Sequence, residues 1–220
     1  MGSGYCFWVF SVSPLSRLNP YHILILAAGA STRMGQPKQL LAYQGSTLLE
    51  HAINTALSCH PISVKVVLGA HVEAIQKNIS LEKVDKVYNS DWQRGMAGSI
   101  KCGITVIMEG EDANLGTIIM LGDQPLISSQ FLQKLYQEAE QQQKEIAASA
   151  YQETLGVPAY FSSFYYGKLL GLSGQGGAGK LIQVFKEEVA SVPAGKFLAD
   201  IDTPEEYQNL IKGGFSRHSE

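Results

Sequence analysis

The feature that most restricts the possible folds of this chain is a repeated pattern. A short apolar run ends at a glycine, and a segment with helical spacing follows it. Three such runs are HILILAAG (residues 22–29), SVKVVLGA (residues 63–70) and GTIIMLGD (residues 116–123). Continuous Ile, Leu and Val are typical of strands that are covered on both faces. Strands interleaved with helices predict an α/β fold, a doubly wound and mostly parallel sheet with helices on both faces, as in Rossmann-like proteins.

The remaining segments extend this pattern to the C-terminal part of the chain. Further strands are expected over residues 83–89, 145–151, 157–161 and 197–202, and helices over residues 47–59, 72–79, 95–108, 129–144, 164–172, 178–188 and 204–212. Thr47 and Thr203 each begin a capping box, because a glutamate follows three residues later, and Pro204 is expected at the first position of its helix. Either Ser128 or Ser129 is expected to cap the helix that runs through Lys144. We expect one domain over residues 21–220, and an extension outside the fold at residues 1–20.

Composition and charge exclude several classes of protein. Apolar residues make up 45% and charged residues 17% of the 220 residues, which is typical of an ordered globular domain. The net charge of −3 gives no reason to expect a nucleic acid or an anionic membrane as partner. No apolar run is long enough to cross a bilayer. Three cysteines without C-x-x-C spacing favour a reducing compartment, so we expect a cytoplasmic protein.

The loop after the first strand carries glycines and cations. It reads LAAGASTRMGQPKQLL (residues 26–41). Gly29 and Gly35 let the backbone approach a ligand, so that amide N–H groups can face phosphate oxygens. Arg33 can add a forked phosphate contact and Lys38 a mobile point charge. The alternative is a solvated loop with two surface cations. In open α/β sheets ligands bind beyond the carboxyl ends of the strands, which brings this loop close to LGDQP (residues 121–125).

Carboxylates near that edge indicate a cation site. Asp123 ends a buried strand, where a carboxylate is costly unless it is paired or metal-bound, although it could instead cap the next turn. Asp200 and Asp202 lie two residues apart on an expected strand and would share one face. We prefer Asp202 as a second ligand, and the alternative is that it interacts with the N-terminus of the helix after Thr203.

The segment NSDWQRGMAGSI (residues 89–100) predicts a helix entry that is open to a ligand. Gly95 and Gly98 lie at the helix N-terminus, where free N–H groups can face an anion or a base edge. Asn89 and Ser99 offer side-chain hydrogen bonds, and Trp92 is interpreted as a packing residue. The histidines at positions 22, 51, 60, 71 and 218 show no ligand spacing, and we assign none of them a role.

These motifs together resemble the MobA-like nucleotidyltransferases, and within them the molybdenum cofactor cytidylyltransferase group. The loop of residues 26–41 resembles the signature L-A-A-G-x-(S/G)-x-R-M-G-x-x-K-x-L-L, and the resemblance continues through residues 89–100, LGDQP and DIDTPEE (residues 200–206). It covers almost everything after Tyr21, in the same order. It implies a nucleotide half at about residues 21–125 and an acceptor half at about residues 126–212.

The resemblance implies a magnesium-dependent transfer of CMP from CTP to a molybdopterin-type acceptor, with release of pyrophosphate. LAAG without the second glycine of guanylyl-transferring relatives favours CTP over GTP. Mg²⁺ is expected on Asp123 and Asp202, with Asp200 as the alternative second ligand, and the expected catalytic residues are Lys38, Arg33 and Asp123. The expected nucleotide-binding residues are Leu26, Ala27, Ala28, Gly29, Arg33, Lys38, Gly69, Asn89, Gly98 and Ser99. A molybdoenzyme or its maturation chaperone is a further expected partner.

Two departures from the family pattern leave the acceptor open. GQGGAG (residues 174–179) stands where the family has G-D-x-G-A-R, and GVP (residues 156–158) where it has G-H-P. GQGGAG and the following Lys180 match the G-x-x-x-x-G-K part of a P-loop. The next residue, Leu181, lacks the hydroxyl that would bind magnesium, and the segment follows an expected helix and not a strand, so we exclude a P-loop. Alternatives are transfer to a sugar phosphate or another small phosphorylated acceptor, and a non-catalytic cofactor-binding or delivery protein.

Overall fold

The computed structural model describes residues 19–151, 154–195 and 200–212, and within them nine strands and seven α-helices. The strands are β1 (Asn19–Ala27), β2 (Ala42–Tyr43), β3 (Ser46–Thr47), β4 (Pro61–Leu68), β5 (Asp85–Tyr88), β6 (Gly116–Leu121), β7 (Ile146–Tyr151), β8 (Thr154–Phe161) and β9 (Val189–Pro193). The helices are α1 (Leu48–Leu57), α2 (Val72–Asn78), α3 (Met96–Met108), α4 (Ser129–Gln142), α5 (Tyr166–Leu170), α6 (Gly177–Val184) and α7 (Pro204–Ile211).

Seven strands form one sheet in the order β5-β4-β1-β6-β8-β7-β9, and β2 and β3 form a separate small ribbon. β1 pairs in parallel with β4 and β6, β4 pairs in parallel with β5, and β7 pairs in parallel with β9. β8 is antiparallel to both of its neighbours. The expected doubly wound, mostly parallel α/β fold is confirmed.

The central strand β1 is buried on both faces, which explains its continuous run of apolar residues. Ile23 and Ile25 pack into one cluster with residues of α1 and α4, and Leu24 and Leu26 pack into a second cluster with residues of α3, α5 and α6. Successive residues of a strand point to opposite faces, so the sheet separates two apolar layers. Gly103 of α3 lies directly over Leu24, where a Cβ atom would overlap its side chain.

The helix starts that carry sequence signals are confirmed. Thr47 and Thr203 accept hydrogen bonds from the backbone N–H of the third residue in α1 and α7, and each capping box is complete. Pro204 occupies the first turn of α7. Ser128 caps α4 by accepting from the N–H of Phe131.

The second half of the chain differs from the prediction. The helix expected over residues 178–188 ends at Val184, and β9 follows as a strand that we did not predict. Its five residues contain two buried side chains, Ala190 and Val192, so the alternation is too short to stand out. Residues 200–202 are not in a strand, and residues 197–199 of that expected strand lie outside the described residues. Asp200 and Asp202 therefore do not share a strand face as expected.

At the N-terminus, β1 begins at Asn19, so residues 19 and 20 belong to the sheet and not to the expected extension. Residues 1–18 lie outside the described residues. In the part of the chain that the structure describes, no helix is both long enough and apolar enough to cross a membrane.

Candidate active site

A cleft of about 510 Å³ opens where β1 and β6 end. The chain runs from β1 to β4 and β5 on one side and then returns to place β6 on the other side, so the cleft lies where the strand order reverses. Nine residues of the predicted site line it: Leu26, Ala27, Ala28, Gly29, Arg33, Lys38, Ser99, Asp123 and Asp202. The fold thus brings together most of the residues that the sequence indicated.

Four charged side chains from distant parts of the sequence meet in this cleft. The Lys38 ammonium contacts a carboxylate oxygen of Asp123 and lies 2.9 Å from Oδ1 of Asp202. Arg33 Nη2 lies 2.6 Å from the other carboxylate oxygen of Asp202. The cations come from the loop after β1, and the carboxylates follow β6 and precede α7. The arrangement is a compact charge cluster in which Lys38 bridges both acids.

Hydrogen bonds hold the irregular segment of residues 200–202 against the end of β6. The N–H of Ile201 donates to the carbonyl of Asp123 at 3.1 Å, and Gln124 Nε2 donates to Oδ1 of Asp200 at 2.8 Å. The Glu206 carboxylate accepts from the N–H of Asp202 at 2.8 Å. These contacts fix Asp202 opposite Lys38 without a strand.

Burial and pairing shift the pKa values of this cluster in different directions. Asp123 is only 5% exposed, and burial raises the pKa of its carboxyl even though the Lys38 ammonium opposes the shift. Burial would also raise the pKa of Asp202, but Lys38 and Arg33 outweigh it and lower that pKa. Burial would lower the pKa of Lys38, but Asp123 and Asp202 raise it. Lys38 therefore stays protonated, and a further cation near Asp123 would stabilise the ionised form of its carboxyl group.

The loop after β1 leaves open space beside Gly29. A Cβ atom built on Gly29 would meet nothing within 4 Å, and its φ is not positive, so the protein itself does not require glycine there. Gly35 has a φ of 72°, a conformation that side-chain-bearing residues rarely adopt, and it turns the chain toward Lys38. The space beside Gly29 faces the cleft and is available to a ligand.

Three predicted nucleotide-binding residues support the cleft but do not line it. A Cβ atom on Gly69 would lie 2.7 Å from the Ala28 carbonyl oxygen and 2.8 Å from the Trp92 Cβ atom, so Gly69 permits close packing beneath the loop. Asn89 donates to Ser99 Oγ at 3.0 Å and accepts from the N–H of Asp91, which ties β5 to the start of α3. Asn89 and Gly98 line a separate cavity of about 380 Å³.

Several lining residues were missed or interpreted differently. Gln39, Gln93 and Met96 line the cleft; they lie within the segments of residues 26–41 and 89–100, but the sequence analysis assigned none of them a role. Trp92 was interpreted as a packing residue; it does pack against the core, and it also lines the cleft. Gln39 belongs to a 3₁₀ turn (Lys38–Leu40), whose single turn leaves no periodic signal to show which side chain is buried.

The glycine-rich segment of residues 174–179 is explained by packing. It follows α5 and begins α6, so it has no strand before it as a P-loop would. Gly177 has a φ of 48°, and a Cβ atom there would overlap the Met96 sulfur atom. The glycine lets α6 begin against the start of α3.

Comparisons with known proteins agree with this geometry. The family model of the MobA-like NTP transferase domain matches residues 23–191. Purine catabolism protein PucB of Bacillus subtilis is 34% identical over 205 residues, which cover 86% of this chain and 95% of that protein. Nicotine blue oxidoreductase of Paenarthrobacter nicotinovorans is 45% identical, but over only 83 residues, 36% of this chain and 40% of that protein.

Solved structures show the same architecture. Rv0371c of Mycobacterium tuberculosis superposes with a TM-score of 0.78 at 28% identity, covering 87% of this chain and 98% of that one. The same protein has been solved in complex with manganese, with a TM-score of 0.73 at 26% identity over 87% of this chain and 98% of that one. The family match, the related sequences and the shared architecture lead to one conclusion: the chain belongs to the MobA-like NTP transferase domain family of nucleotidyltransferases.

Proposed function

We propose that the protein transfers CMP from CTP to a phosphorylated acceptor of the molybdopterin type and releases pyrophosphate. The observation that carries this proposal is the charge cluster in which Lys38 contacts Asp123 and Asp202 and Arg33 contacts Asp202. Two cations and two carboxylates at the mouth of a parallel sheet suit a triphosphate that arrives with a divalent ion.

The carboxylates of the cleft fit Mg²⁺. Asp123 and Asp202 both supply oxygen donors, and the buried Asp123 carboxylate is stabilised by added positive charge. Among the described residues, no group of three or more His, Cys, Asp or Glu side chains could hold a metal by itself. This suits Mg²⁺, which usually takes one or two carboxylates and completes its coordination with substrate phosphates and water. The complex of Rv0371c with manganese supports a divalent ion in this family.

The proposed reaction needs positioning and charge neutralisation and no protein nucleophile. An oxygen of the acceptor phosphate forms a bond to the α-phosphorus of CTP, and the bond from that phosphorus to the bridging oxygen breaks, so that pyrophosphate leaves with the electron pair. When bound, Mg²⁺ would neutralise negative charge on the phosphates. Lys38 would move from its carboxylates to the α-phosphate region, and Arg33 and the loop amides would hold the β- and γ-phosphates.

The choice of nucleotide and acceptor rests on sequence resemblance. The LAAG form of the loop favours CTP, and the resemblance of residues 26–41, 89–100, 121–125 and 200–206 to the molybdenum cofactor cytidylyltransferase group favours a molybdopterin-type acceptor. Sugar phosphates and other small phosphorylated acceptors are the alternative, because GQGGAG (residues 174–179) and GVP (residues 156–158) depart from the family pattern in the part of the chain that is expected to bind the acceptor.

The proposal is tested by incubating the purified protein with Mg²⁺, each nucleoside triphosphate and each acceptor, and measuring pyrophosphate. We expect pyrophosphate with CTP and molybdopterin, and loss of the signal with EDTA or in Asp123→Asn. If pyrophosphate forms with a sugar phosphate and not with molybdopterin, the acceptor is a sugar phosphate. Binding of CTP and molybdopterin without pyrophosphate from any pair would favour a delivery protein, and normal turnover by Asp123→Asn would overturn the metal assignment.

A further inference from the structure

The five consecutive carbonyl oxygens of residues 26–30, at the end of β1 and the start of the following loop, accept hydrogen bonds from residues outside this five-residue segment. The donors are Gly122 N to Leu26 O at 3.1 Å, Gln39 Nε2 to Ala27 O at 3.0 Å and to Gly29 O at 3.1 Å, Ala70 N to Ala28 O at 3.1 Å, and His71 Nε2 to Ala30 O at 2.9 Å. The loop is thus fixed from β6, from the start of α2 and from the 3₁₀ turn after Pro37. Side chains, and not backbone, supply three of these five bonds.

Gln39 is the centre of this arrangement. Its side chain is 3% exposed, and both N–H groups of its amide face loop carbonyls. Its amide oxygen lies 3.4 Å from the Ser31 hydroxyl, which also accepts the N–H of Lys38 at 3.1 Å. An amide is the neutral side chain that can donate twice from one atom and accept at the other. A carboxylate at this position would be repelled by both carbonyls.

His71 adds a third side-chain bond from the opposite direction. It precedes the first residue of α2, and its Nε2 atom faces the Ala30 carbonyl, so this nitrogen must carry the proton. The ring is partly buried between the helix start and the loop. No ligand spacing in the sequence distinguishes His71 from the other histidines.

Held carbonyls determine where the amide N–H groups point. In a trans peptide the C=O and N–H bonds point in opposite directions, so each bond to Gln39 or His71 turns the next N–H group away from that side chain. The N–H groups of residues 29–33 donate to no acceptor in the described parts of the chain. A run of unused N–H groups beside a cleft is an anion-binding arrangement.

We propose that Gln39 and His71 are positioning residues that hold the loop of residues 27–31 in the conformation that presents its N–H groups to the phosphates of the substrate. This inference rests on the proposed function. Neither side chain needs to touch the nucleotide, because each acts through the carbonyl that it holds. The cationic contacts of Lys38 and Arg33 are a separate contribution, since neither residue bonds these carbonyls.

The test is the affinity for two ligands that share a diphosphate, CTP and inorganic pyrophosphate, each with Mg²⁺, measured by titration calorimetry. In Gln39→Met, which keeps the shape and removes the amide, we expect both dissociation constants to rise roughly 10- to 30-fold, the loss expected for two neutral hydrogen bonds. In kinetics, KM for CTP should rise while kcat and KM for the acceptor stay within about twofold, because the loop binds phosphates without reacting.

The His71 variants test the same idea at a site where folding is less at risk. His71→Phe keeps a ring without a donor and should weaken both ligands roughly 3- to 10-fold, the loss expected for one hydrogen bond. His71→Gln retains a donor and should recover most of the affinity. Ile107→Val serves as a control for a general loss of stability, because Ile107 is buried near the C-terminal end of α3, whereas the N-terminal end of α3 lies at the cleft.

The possible failures are distinguishable. If the wild type binds CTP and pyrophosphate, and Gln39→Met and His71→Phe bind them equally well, the positioning role is wrong and the proposed function stands. If Ile107→Val weakens binding as much as Gln39→Met, the effect is one of stability, and the positioning role is again wrong. If the wild type binds neither ligand, the proposed function fails first and the positioning role with it.

Discussion

Lys38 illustrates how much a single residue can determine in this fold. Its ammonium contacts carboxylates that lie 85 and 164 positions later in the sequence, and its own side chain is only 19% exposed. Asp123, one of its partners, is 5% exposed and has a pKa that burial raises. Removing the ammonium would leave a buried carboxylate without its neutralising partner, a change that is strongly destabilising.

We expect Lys38→Met to abolish nucleotidyl transfer and to lower the free energy of unfolding by roughly 3 kcal/mol at pH 8 without a divalent ion. The loss should shrink at pH 5. Without Lys38 the folded pKa of Asp123 rises further above its unfolded value, and a carboxyl with a raised folded pKa destabilises the fold only where it is ionised, at the higher pH. Urea unfolding at both pH values measures this, with the exposed Lys134→Met as control. An equal loss at both pH values would contradict the pairing with Asp123.

Gly69, beneath the loop after β1, and Gly29, which lines the cleft, differ in the space around them, and substitution by alanine should therefore have different effects at the two positions. We expect Gly69→Ala to cost roughly 1–3 kcal/mol, because its Cβ atom would press on the Ala28 carbonyl and on Trp92. Gly29→Ala should change stability by less than about 0.5 kcal/mol, since its Cβ atom meets open space. If a ligand fills that space, Gly29→Ala should instead weaken CTP binding. Thermal unfolding and calorimetric titration measure both effects, and a stable Gly69→Ala would contradict the packing account.

At the scale of elements, the sequence predicted those whose signals are local. The apolar runs of β1, β4 and β6 and the capping boxes of α1 and α7 were confirmed because burial on both faces and capping are each decided within a few residues. β9 was missed because only two of its five side chains are buried. The two hydrogen bonds from Gln39 to the carbonyls of Ala27 and Gly29 were not predicted, because no pattern of side chains in the sequence indicates a bond to backbone carbonyls.

The two capping boxes offer a matched experiment on α7. Thr203→Ala and Thr47→Ala remove the same cap from α7 and α1, and each should cost about 1 kcal/mol of stability. Only the α7 box also holds the segment before the helix, because Glu206 accepts from the N–H of Asp202. We therefore expect Thr203→Ala to lower kcat/KM several-fold more than Thr47→Ala. Equal activities at equal stability would show that the α7 cap does not position Asp202.

At the scale of the whole molecule, the sequence predicted the location of the cleft better than it predicted the structure of the C-terminal half of the chain. Parallel strands with helical crossovers force the loops after β1 and β6 to the same edge, so the cleft followed from the order of elements alone. The antiparallel β8 and the segment of residues 200–202 were not predictable in this way. Their position depends on contacts such as that of Ile201 N–H with the Asp123 carbonyl, which join residues 78 positions apart.

Because the cleft joins the loop after β1 to the segment before α7, a ligand there should stabilise the whole domain. At 100 times its dissociation constant, CTP with Mg²⁺ should add about 2.7 kcal/mol to the free energy of unfolding. For a domain of this size that corresponds to a rise in Tm of roughly 5–10 °C. Differential scanning calorimetry with CTP, GTP, ATP and UTP measures it, with Lys38→Met as the control that should respond little. Equal rises in Tm with all four triphosphates would contradict the preference for CTP but would still support a triphosphate site. A ligand that binds the native state must raise its stability. If none of the four raises the Tm, the proposed triphosphate site is therefore wrong.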